Sequence, residues 1–474
     1  MKEIEEFLGK RFENKKTVLL GAGVSNTPLV EFLTSFGARV EVRDKKSEVE
    51  LGELAEKMKN LGATLVTGEG YLDAIEADYV FRSPGFRPDS EALVRAKENG
   101  AELTSELELF AKICPAFLIG ITGSDGKSTT TTVISKMLEK EYEKSGRKVY
   151  LGGNIGYPLL NRVCEMDEKD FVSCEMSSFQ LMTIDSPVDV AVITNISPNH
   201  LNWHVGMEEY IEAKAKILRG AKRAVLNYGN AVTRELGKKC TCPVTYFSKD
   251  PIPYEDLEEK DSLITLDGDN IVRFTKKTGE KKIIMKKSEI LLPGIHNAEN
   301  YMSAAGALEG IVSVENIAAV AREFGGVKHR LELIRVKDGV YFYNSSIDSS
   351  PTRTAAALSA ITDKKINVIC GGYDKKIPFE PLAKAIALNG NVKSVTLTGA
   401  TAEQILSAID NCAAFDRAKI KVSVEKDFEK AVRCAASNAE QGDAVLLSPA
   451  CASFDAFPNF EVRGDFFRKI VMEL

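Results

Sequence analysis

Short apolar runs alternate with segments of helical periodicity along almost the whole chain. In the helical segments, apolar residues recur every three or four positions, whereas the apolar runs between them end in Gly, Ser or Asn. This alternation is typical of parallel sheets covered by helices, so we predict an α/β fold. The predicted strands are KTVLLGAG, RVEVRD, DYVFRSPG, FLIGITG, KVYLGGN, FVSCEMSS, VAVITNIS, RAVLNY, NVICGGYD, SVTLTG and AVLLSP.

One central segment departs from this pattern. Residues 241–292 contain short apolar runs separated by an acidic and a lysine-rich stretch, which predicts a solvated antiparallel excursion. The chain has 474 residues, a length that predicts roughly three domains. We place the boundaries near residues 113–115 and 325–327, before the FLIGITG strand and at a Gly-Gly pair.

Composition excludes several classes of protein. The formal net charge is −6, with 27% charged residues of both signs interspersed, so nothing favours nucleic acid or an anionic membrane as a partner. The first sixteen residues are charged throughout and lack the apolar core of a signal peptide. No apolar run reaches the ~20 residues that span a bilayer. The nine cysteines are scattered, which favours reduced thiols in a cytoplasmic protein.

A candidate phosphate-binding loop lies in residues 117–134, FLIGITGSDGKSTTTTVI. An apolar strand, a glycine-containing turn and a helix start follow one another there, so backbone N–H groups and the helix dipole would face a polyphosphate. Lys127 would add a positive charge and Ser128 a hydroxyl ligand for Mg²⁺. The strict P-loop pattern requires glycine at the position of Ile121, so the loop is a TGSxGKS variant; the alternative is a plain turn.

A second glycine-containing turn follows the first predicted strand. GAGVSNTP, residues 21–28, precedes a strand that ends at Asp44, and an acid about twenty residues after such a turn resembles a dinucleotide site. Thr27 and Pro28 occupy the region of the third glycine, which argues against NAD. A uridine-type ligand, a generic nucleotide pocket or a structural turn remain open.

Glu175 ends the predicted strand FVSCE. In a strand Phe171, Ser173 and Glu175 share one face, and ligands gather at the carboxyl ends of parallel strands. A buried carboxylate is costly unless it is paired or bound to metal, which favours a metal ligand over a glutamate on an exposed edge.

A helix is predicted after Gly206, and it carries a lysine on its apolar face. The spacing groups Lys214 with an apolar stripe and directs Lys216 to the opposite side. A buried amine needs a partner or a chemical modification, although a lysine can also extend to the surface. His200 follows the strand VAVITNIS, a position suited to a metal or phosphate contact. His204 lacks the HExxH context of a zinc site.

The remaining candidates lie later in the chain. Asn297 and Asn300 occur at the start of a predicted helix, where they could cap it or contact a nucleotide base. Arg330 could bind phosphate in a bidentate manner or form a surface ion pair. Lys375 and Ser453 each follow a predicted strand and could hold an anionic substrate. No Ser–His–Asp or Cys–His arrangement is evident, which argues against a covalent enzyme intermediate.

Taken together, these segments resemble the Mur ligase family over essentially the full length, and SPACASFD and SSFQL resemble its D-glutamate-adding branch. The DNPR-type signature of the diaminopimelate- or lysine-adding branch is absent. The motifs occur in family order: TGSDGKST, GGNIG, EMSSFQL, NISPNHL…EAK, GIHNAEN, HRLE, GGYDK and LLSPACASFDAFPNFEVRG.

The resemblance implies three domains and a ligase reaction. A Rossmann-like UDP-sugar domain (1–113), a central ATP-binding domain (114–326) and a C-terminal amino-acid-binding domain (327–474) are expected. The γ-phosphoryl group of ATP would pass to the alanyl carboxylate of UDP-N-acetylmuramoyl-L-alanine, and D-glutamate would attack the acyl phosphate. This is a cytoplasmic step of peptidoglycan precursor synthesis. It implies ATP, two Mg²⁺ ions, a carbamylated Lys214, a monomer, and neither nucleic acid nor membrane as partner.

The resemblance also assigns site residues. Catalytic roles fall on Lys127, Lys214 and His200. Metal ligands would be Ser128, Glu175, His200 and carbamylated Lys214. ATP contacts would be Gly123, Ser124, Asp125, Gly126, Lys127, Ser128, Thr129, Asn297, Asn300 and Arg330. The UDP-sugar substrate would contact Val24, Ser25, Asp44, Lys45, Ser83, Asn154, Ser177 and Gln180. The D-glutamate pocket would contain Lys375, Ser453 and Phe460.

One segment departs from the family pattern. The family's NDSKATN reads NSSIDSS at residues 344–350, so an acid near ATP becomes Ser345 and a lysine near the amino acid becomes Ile347. Ser349 can supply the usual hydroxyl, and Asp348 is a candidate replacement for the acid. Two alternatives stay open. The first is a folylpolyglutamate synthase, although that branch lacks a domain like residues 1–113. The second, suggested by the altered segment, is a nucleotide-binding regulatory protein that has lost turnover.

Overall fold

The structure is a computed structural model that describes residues 2–23, 26–185, 187–201, 203–292, 294–375 and 377–474. These residues divide into two compact units, one within Met1–Ile290 and Ile295–Arg322, the other within Leu291–Gly294 and Glu323–Leu474. The first unit contains two sheets and the second contains one. The three predicted domain ranges stay a prediction.

The first sheet is parallel, and the described part of the chain forms it in the order β3-β2-β1-β4-β5. The Asp44 end of β2 and the Ser83 loop after β4 therefore lie on either side of the end of β1. Its strands are β1 (Lys16–Leu20), β2 (Arg39–Asp44), β3 (Thr64–Thr67), β4 (Tyr79–Arg82) and β5 (Glu102–Thr104). Its helices are α1 (Lys2–Phe12), α2 (Asn26–Ser35), α3 (Glu48–Leu51), α4 (Glu53–Asn60), α5 (Glu91–Glu98) and α6 (Glu106–Ile113).

The central sheet has the order β14-β13-β12-β11-β10-β9-β6-β8-β7 in the described residues. Its strands are β6 (Phe117–Thr122), β7 (Val149–Gly153), β8 (Phe171–Glu175), β9 (Val190–Ile193), β10 (Arg223–Asn227), β11 (Val244–Ser248), β12 (Ser262–Asp267), β13 (Asn270–Thr275) and β14 (Glu280–Lys286). Its helices are α7 (Lys127–Tyr142), α8 (Ser178–Leu181), α9 (Met207–Ala215), α10 (Ala231–Lys238), α11 (Ile295–Ala307) and α12 (Val314–Glu323). The 3-10 turns of this region are Leu160–Glu165, Lys216–Leu218, Tyr254–Asp256 and Lys287–Glu289.

The sheet of the second unit has the order β15-β16-β20-β17-β18-β19 among the residues described there. Its strands are parallel except for the antiparallel pair β15 and β16. The strands are β15 (Glu332–Lys337), β16 (Val340–Asn344), β17 (Ile366–Gly371), β18 (Val392–Thr398), β19 (Lys421–Val424) and β20 (Ala444–Leu447). The helices are α13 (Pro351–Ala360), α14 (Glu380–Leu388), α15 (Ala402–Asp410), α16 (Phe428–Ser437) and α17 (Phe460–Glu473).

The structure confirms the predicted α/β class and corrects one segment. Residues 241–292 are not an antiparallel excursion throughout, because β11 and β12 continue the central sheet in parallel and only β13 and β14 run antiparallel. The run VTYFS is fully buried, as strands inside parallel sheets are. The acidic stretch precedes β12, and the lysine-rich stretch falls on and beside the outer strand β14, where exposed lysines protect a sheet edge.

Within the described ranges, no helix is both long and apolar enough to cross a membrane.

Candidate active site

The turn between β6 and α7 has the backbone of a phosphate-binding loop. Gly123 and Gly126 have φ of +147° and +80°, and α7 begins at Lys127, immediately after the turn. A Cβ atom at Gly123 would lie 1.9 Å from Thr194 Oγ1, and one at Gly126 would lie 2.4 Å from Asn300 Oδ1. Both glycines are therefore required by conformation and by space. The loop leaves the N-terminus of a sixteen-residue helix facing outward from the sheet edge.

Two lysines meet at this loop. Lys127 Nζ donates to the carbonyl oxygens of Gly123 and Ser124 at 2.9 Å each. Lys214 Nζ donates to the same Gly123 oxygen at 2.7 Å and contacts Thr122 Oγ1 at 3.3 Å. The predicted phosphate lysine and the predicted modified lysine are thus brought to one carbonyl group. Ser128 is buried in the first turn of α7, and the following Thr129 is half-buried.

Lys214 lies on the buried face of α9, as the periodicity predicted. Its side chain is 1% exposed, and its ammonium lies 4.7 Å from the centre of the Tyr210 ring. Burial, together with the nearby Lys127 charge, lowers the pKa of Lys214 to about 7. A large fraction of this amine is therefore neutral, and so nucleophilic, near neutral pH.

Glu175 ends β8 with one carboxylate oxygen held and the other without a hydrogen bond. Oε1 accepts from Asn154 Nδ2 at 2.8 Å, and the Asn154 N–H also donates to the Glu175 carbonyl at 2.8 Å. Oε2 is buried and has no hydrogen-bond partner among the described residues. An unsatisfied buried carboxylate oxygen is costly, so this geometry fits a cation ligand. Asn154, predicted as a substrate contact, here orients the carboxylate.

His200 follows β9 in an exposed loop, with φ of +55°. Its ring lies 4.9 Å from that of Phe179. Partial burial and the charges of Lys127 and Lys214 lower its pKa, which favours the neutral imidazole that a metal requires. The described residues contain no group of three or more His, Cys, Asp and Glu side chains arranged to hold a metal. A cation at this site would therefore need ligands of other types as well, such as the Ser128 hydroxyl.

Ser177 and Gln180, both predicted to contact substrate, form a capping box at the start of α8. The Ser177 hydroxyl accepts from the Gln180 N–H at 3.2 Å, and Gln180 Oε1 accepts from the Ser177 N–H at 2.9 Å. Two orphan N–H groups of the short helix are satisfied in this way. The capping box fixes the loop that directly follows Glu175.

A serine–histidine–acid arrangement, not evident from the sequence, is present in the structure. Ser178 Oγ lies 2.9 Å from His204 Nε2, and His204 Nδ1 lies 3.1 Å from Glu209 Oε2. Ser178 and His204 are each 2% exposed. Burial of the hydroxyl argues against its attack on an acyl group, and the absence of a covalent intermediate stays a prediction.

Asn297 and Asn300 do not occupy the cap position, because α11 begins at Ile295. Asn300 Nδ2 donates to Asn297 Oδ1 at 3.2 Å, and Asn300 Oδ1 accepts from Thr130 Oγ1 at 3.4 Å. Both side chains are buried, and that of Asn300 lies against Thr130 of α7 and beside Gly126. The prediction that these residues cap the helix is therefore wrong. The alternative, contact with a nucleotide base, stays a prediction, and Asn300 borders the phosphate loop. The loop's Asp125 is exposed, while its backbone carbonyl accepts from Thr194 Oγ1 at 2.5 Å.

A cavity of about 230 Å³ lies where the first sheet meets the β7 and β8 loops. Ser83, Gln180 and Asn26 line it. Asp44 stands nearby at the end of β2 and accepts from the Ala22 N–H at 2.6 Å, whereas Lys45 is exposed. The predicted contacts Val24 and Ser25 lie outside the described residues.

The sequence did not single out Asn26, although it belongs to the GAGVSN turn. Asn26 Nδ2 donates to the Gly21 carbonyl at 2.5 Å and lies 3.3 Å from Ser83 Oγ. The signal that could have identified it was its place at the end of this turn.

The second unit brings together part of the predicted amino-acid pocket. Lys375 Nζ donates to Ser349 Oγ at 3.1 Å, so the lysine meets the hydroxyl that replaces the usual threonine. Ser453 is buried in the loop after β20, and Phe460 begins α17 with its ring 5.9 Å from His329. Arg330 is exposed.

The altered segment 344–350 is internally bonded within the second unit. Ser345 Oγ accepts from the Leu331 N–H at 3.1 Å. Asp348 is buried and accepts from Ser448 Oγ at 2.8 Å, and burial raises the pKa of its carboxyl group. The charges of Arg330 and Arg353 act on Asp348 in the opposite direction. Asp348 is thus an acidic residue close enough to Arg330, a predicted ATP contact, for their charges to interact.

The sequence analysis also missed Arg463, which is 2% exposed on α17. Its guanidinium donates to Ser346 Oγ and to the carbonyls of Ser346, Cys451 and Ala452 at 2.9 to 3.1 Å. It therefore joins the altered segment to the loop that carries Ser453. The signal in the sequence for this position was the Arg-Gly pair that ends the motif LLSPACASFDAFPNFEVRG.

Two family models match the chain. The Mur ligase middle domain matches residues 121–308, and the glutamate ligase domain of Mur ligases matches residues 329–451. The chain belongs to the Mur ligase family.

Curated relatives place the chain beside one member of that family. It is 44% identical over 475 residues to the UDP-N-acetylmuramoylalanine--D-glutamate ligase of Clostridium perfringens, covering 99% of this chain and 98% of that protein. The ligase of the same name from Clostridium botulinum is 45% identical, with 100% and 99% covered.

Solved structures support the fold. The UDP-N-acetylmuramate-alanine ligase MurC of Thermotoga maritima aligns with a TM-score of 0.55 at 16% identity, covering 97% of this chain and 100% of that one. A UDP-N-acetylmuramoyl-L-alanyl-D-glutamate--2,6-diaminopimelate ligase aligns with a TM-score of 0.52 at 17% identity, covering 87% and 86%.

Proposed function

We propose that this chain is an ATP- and Mg²⁺-dependent ligase that adds D-glutamate to UDP-N-acetylmuramoyl-L-alanine, in peptidoglycan precursor synthesis. The observation that carries the proposal is the junction of the Lys127 loop with Lys214 and the unsatisfied Glu175 oxygen. Relatives of this name at 44% and 45% identity over almost the full length support the choice of substrates.

The reaction requires positioning more than covalent chemistry. An oxygen of the alanyl carboxylate attacks the γ-phosphorus of ATP, the bond to the β-bridging oxygen breaks, and ADP leaves. The D-glutamate amine then attacks the acyl carbon, phosphate leaves with its bonding electrons, and the nitrogen loses a proton as the amide forms. No protein nucleophile is used, which agrees with the burial of Ser178.

Lys127 and the N-terminus of α7 hold the triphosphate in this proposal. The N–H groups of the first helical turn point out of the loop, and Lys127 can move from its carbonyl acceptors to phosphate oxygens. Asn300 borders the loop on the side of α11, and Asn297 and Arg330 are further proposed ATP contacts.

Ser128, Glu175, His200 and Lys214 would hold Mg²⁺, which neutralises charge on the transferring phosphoryl group when bound. The buried free oxygen of Glu175 and the shifted pKa of His200 fit this role. We propose two ions, with Lys214 carbamylated: its neutral amine adds CO₂ and releases a proton, so that a buried amine becomes an anionic ligand.

The substrates would occupy the two predicted pockets. Asp44, Ser83, Asn154 and Ser177 are the proposed contacts of the UDP-sugar and its alanyl carboxylate, beside the 230 Å³ cavity. Lys375, Ser453 and Phe460 are the proposed D-glutamate contacts, with Ser349 beside the lysine. A monomer in the cytoplasm stays a prediction.

Phosphate release tests the proposal. Purified protein is mixed with ATP, Mg²⁺, UDP-N-acetylmuramoyl-L-alanine and D-glutamate, and each component is omitted in turn. We expect phosphate only with the complete set, and equimolar amide product. Absence of phosphate at saturating substrates would contradict the ligase assignment and favour a regulatory nucleotide-binding protein. Release with a folate acceptor alone would favour a folylpolyglutamate synthase.

A further inference from the structure

A chain of hydrogen bonds connects the first sheet with the elements that carry the proposed metal ligands. Arg87 donates to the Glu209 carboxylate through both terminal guanidinium nitrogens: Nη2 donates to Oε1 at 2.8 Å and Nη1 to Oε2 at 3.1 Å. Glu209 in turn contacts His204 Nδ1, and His204 Nε2 contacts Ser178 Oγ. We call this chain the Arg87 relay; its members are Arg87, Glu209, His204 and Ser178.

The direction of each hydrogen bond in the relay follows from chemistry. Two hydrogen bonds from Arg87 lower the pKa of Glu209 to about 2, so its carboxylate is ionised and only accepts. His204 Nδ1 must therefore carry the proton, which leaves a lone pair on Nε2. The Ser178 hydroxyl then donates to Nε2. One charge at Arg87 thus fixes the histidine tautomer and the orientation of a buried hydroxyl.

The ends of the relay lie next to functional elements. Arg87 belongs to the loop after β4, which begins at Ser83 on the 230 Å³ cavity. Ser178 is the first residue of α8, three residues after Glu175. Glu209 lies on α9, five residues before Lys214. The relay therefore joins the cavity loop to both elements that adjoin or carry proposed metal ligands.

Aromatic packing makes this connection rigid. Phe179 stacks on His204 with ring centres 5.5 Å apart and makes an edge contact with Trp203 at 4.5 Å. Arg87 lies over the Trp203 ring at 5.1 Å and donates to the Trp203 carbonyl at 2.8 Å. His204 and Ser178 are each 2% exposed, so the hydrogen bond between them is shielded from competing water, whereas the side chains of Arg87 and Glu209 are 23% and 25% exposed.

We propose that the Arg87 relay positions the Mg²⁺ ligands. It holds α8 and α9 at a fixed spacing and fixes the position of both relative to the loop that lines the substrate cavity. Its members are not among the proposed substrate contacts or metal ligands. The inference rests on the proposed function, because it concerns the ligands that the function requires. Glu175 ends a strand, whereas Lys214 lies on a helix outside the sheet, so the spacing of the two ligands needs such a link.

Steady-state kinetics on the full-length protein tests this role. The variants are Arg87→Gln, Glu209→Gln, His204→Ala, His204→Gln and Ser178→Ala, and the matched control is Glu212→Gln, an exposed acid on α9. Loss of a group that orients metal ligands typically costs about 10- to 100-fold in metal affinity or activity. We expect kcat to fall and half-saturating Mg²⁺ to rise by about tenfold, with the KM for ATP changed less than about twofold.

Two further readouts separate positioning from general stability. His204→Gln keeps an N–H donor toward Glu209 and should recover part of the activity that His204→Ala loses. The double variant of Arg87→Gln and Glu209→Gln should match the worse single variant, because the two residues act as one unit. Thermal melting identifies any variant that fails to fold, and Ser178→Ala removes only one hydroxyl.

The outcomes are distinct. A wild-type protein that releases no phosphate overturns the proposed function, and the relay with it. An active wild type whose relay variants share the Mg²⁺ dependence of Glu212→Gln overturns the relay alone. Lower melting temperatures without a shift in Mg²⁺ dependence also overturn it, because they show a structural role.

Discussion

The chemistry of single residues here depends on burial. Lys214 and Glu175 are 1% and 2% exposed, and each is ionisable. Periodicity alone predicted the buried lysine, and position at a strand end predicted the glutamate. The sequence could not show that Asn154 would hold Glu175, or that Ser178 and His204 would meet, because these partners are 21 and 26 residues apart along the chain. Only tertiary packing creates such pairs.

Lys214→Ala should abolish turnover. The substitution removes the amine that is carbamylated in our proposal, so neither an anionic ligand nor its precursor remains. Phosphate release with saturating substrates measures the effect, and added bicarbonate should not restore activity. The matched control is Lys222→Ala, whose exposed side chain pairs with Asp189 away from the loop. Unchanged turnover in Lys214→Ala would defeat the assignment.

At the scale of elements, the site is built where strands stop and helices start. The β6–α7 turn depends on Gly126, which has a positive φ and contacts Asn300 on α11. The apolar runs predicted β6 to β10 because buried parallel strands have unbroken apolar sequences. The direction of the strands was harder to predict. β11 and β12 precede charged segments, yet they extend the sheet in parallel. Strand order depends on non-local pairing that a single sequence does not display.

Gly126→Ala should weaken nucleotide binding more than it lowers stability. The new Cβ atom would meet Asn300 Oδ1 at 2.4 Å and displace the loop or the asparagine. Gly146→Ala is the matched control, because Gly146 has φ of +73° and a Cβ atom there would meet nothing within 4 Å. Backbone strain is thus common to both variants, of the order of 1 kcal/mol. Calorimetry with an ATP analogue should show loss of affinity only for Gly126→Ala; equal affinities would contradict this role.

The Arg87–Glu209 ion pair links two elements and should make stability depend on pH. The folded pKa of Glu209 is about 2, against an ordinary value of 4.5. The pair's contribution is therefore full above the unfolded pKa and is lost as the pH falls toward the folded pKa. Denaturant unfolding of wild type and Glu209→Gln should differ most above about pH 5.5, and the difference should shrink as the pH falls and vanish only near about pH 2. A pH-independent difference would show that packing, not charge, is responsible.

At the scale of the whole molecule, each unit contains its own internal connections. In the second unit, Arg463 donates four hydrogen bonds to neutral acceptors of two segments. Burial lowers the pKa of its guanidinium group to about 10, which leaves it charged at neutral pH. The family motifs indicated the α/β class and the general pockets. They did not indicate this clamp, because an arginine in a helical pattern usually suggests a surface residue.

Arg463→Met should destabilise the second unit by roughly 3 kcal/mol. Four buried acceptors each lose a hydrogen bond from Arg463, although the Ala452 carbonyl keeps one from the Tyr373 N–H. An unsatisfied buried group costs about 1 to 3 kcal/mol, and relief from burying a charge offsets part of that loss. Urea unfolding of the full chain measures it, and Arg433→Met, at an exposed pair on α16, is the control. Equal unfolding midpoints for the two variants would contradict the clamp.

Lys127 and Lys214 converge on a single carbonyl oxygen, that of Gly123. The ammonium of Lys127 and the N-terminus of α7 attract any small multivalent anion that approaches this loop. Orthophosphate, the leaving product, carries the required charge. We therefore expect product inhibition that is competitive with the nucleotide, seen as a KM for ATP that climbs with added phosphate, so that flux through this step depends on how quickly the cell removes orthophosphate.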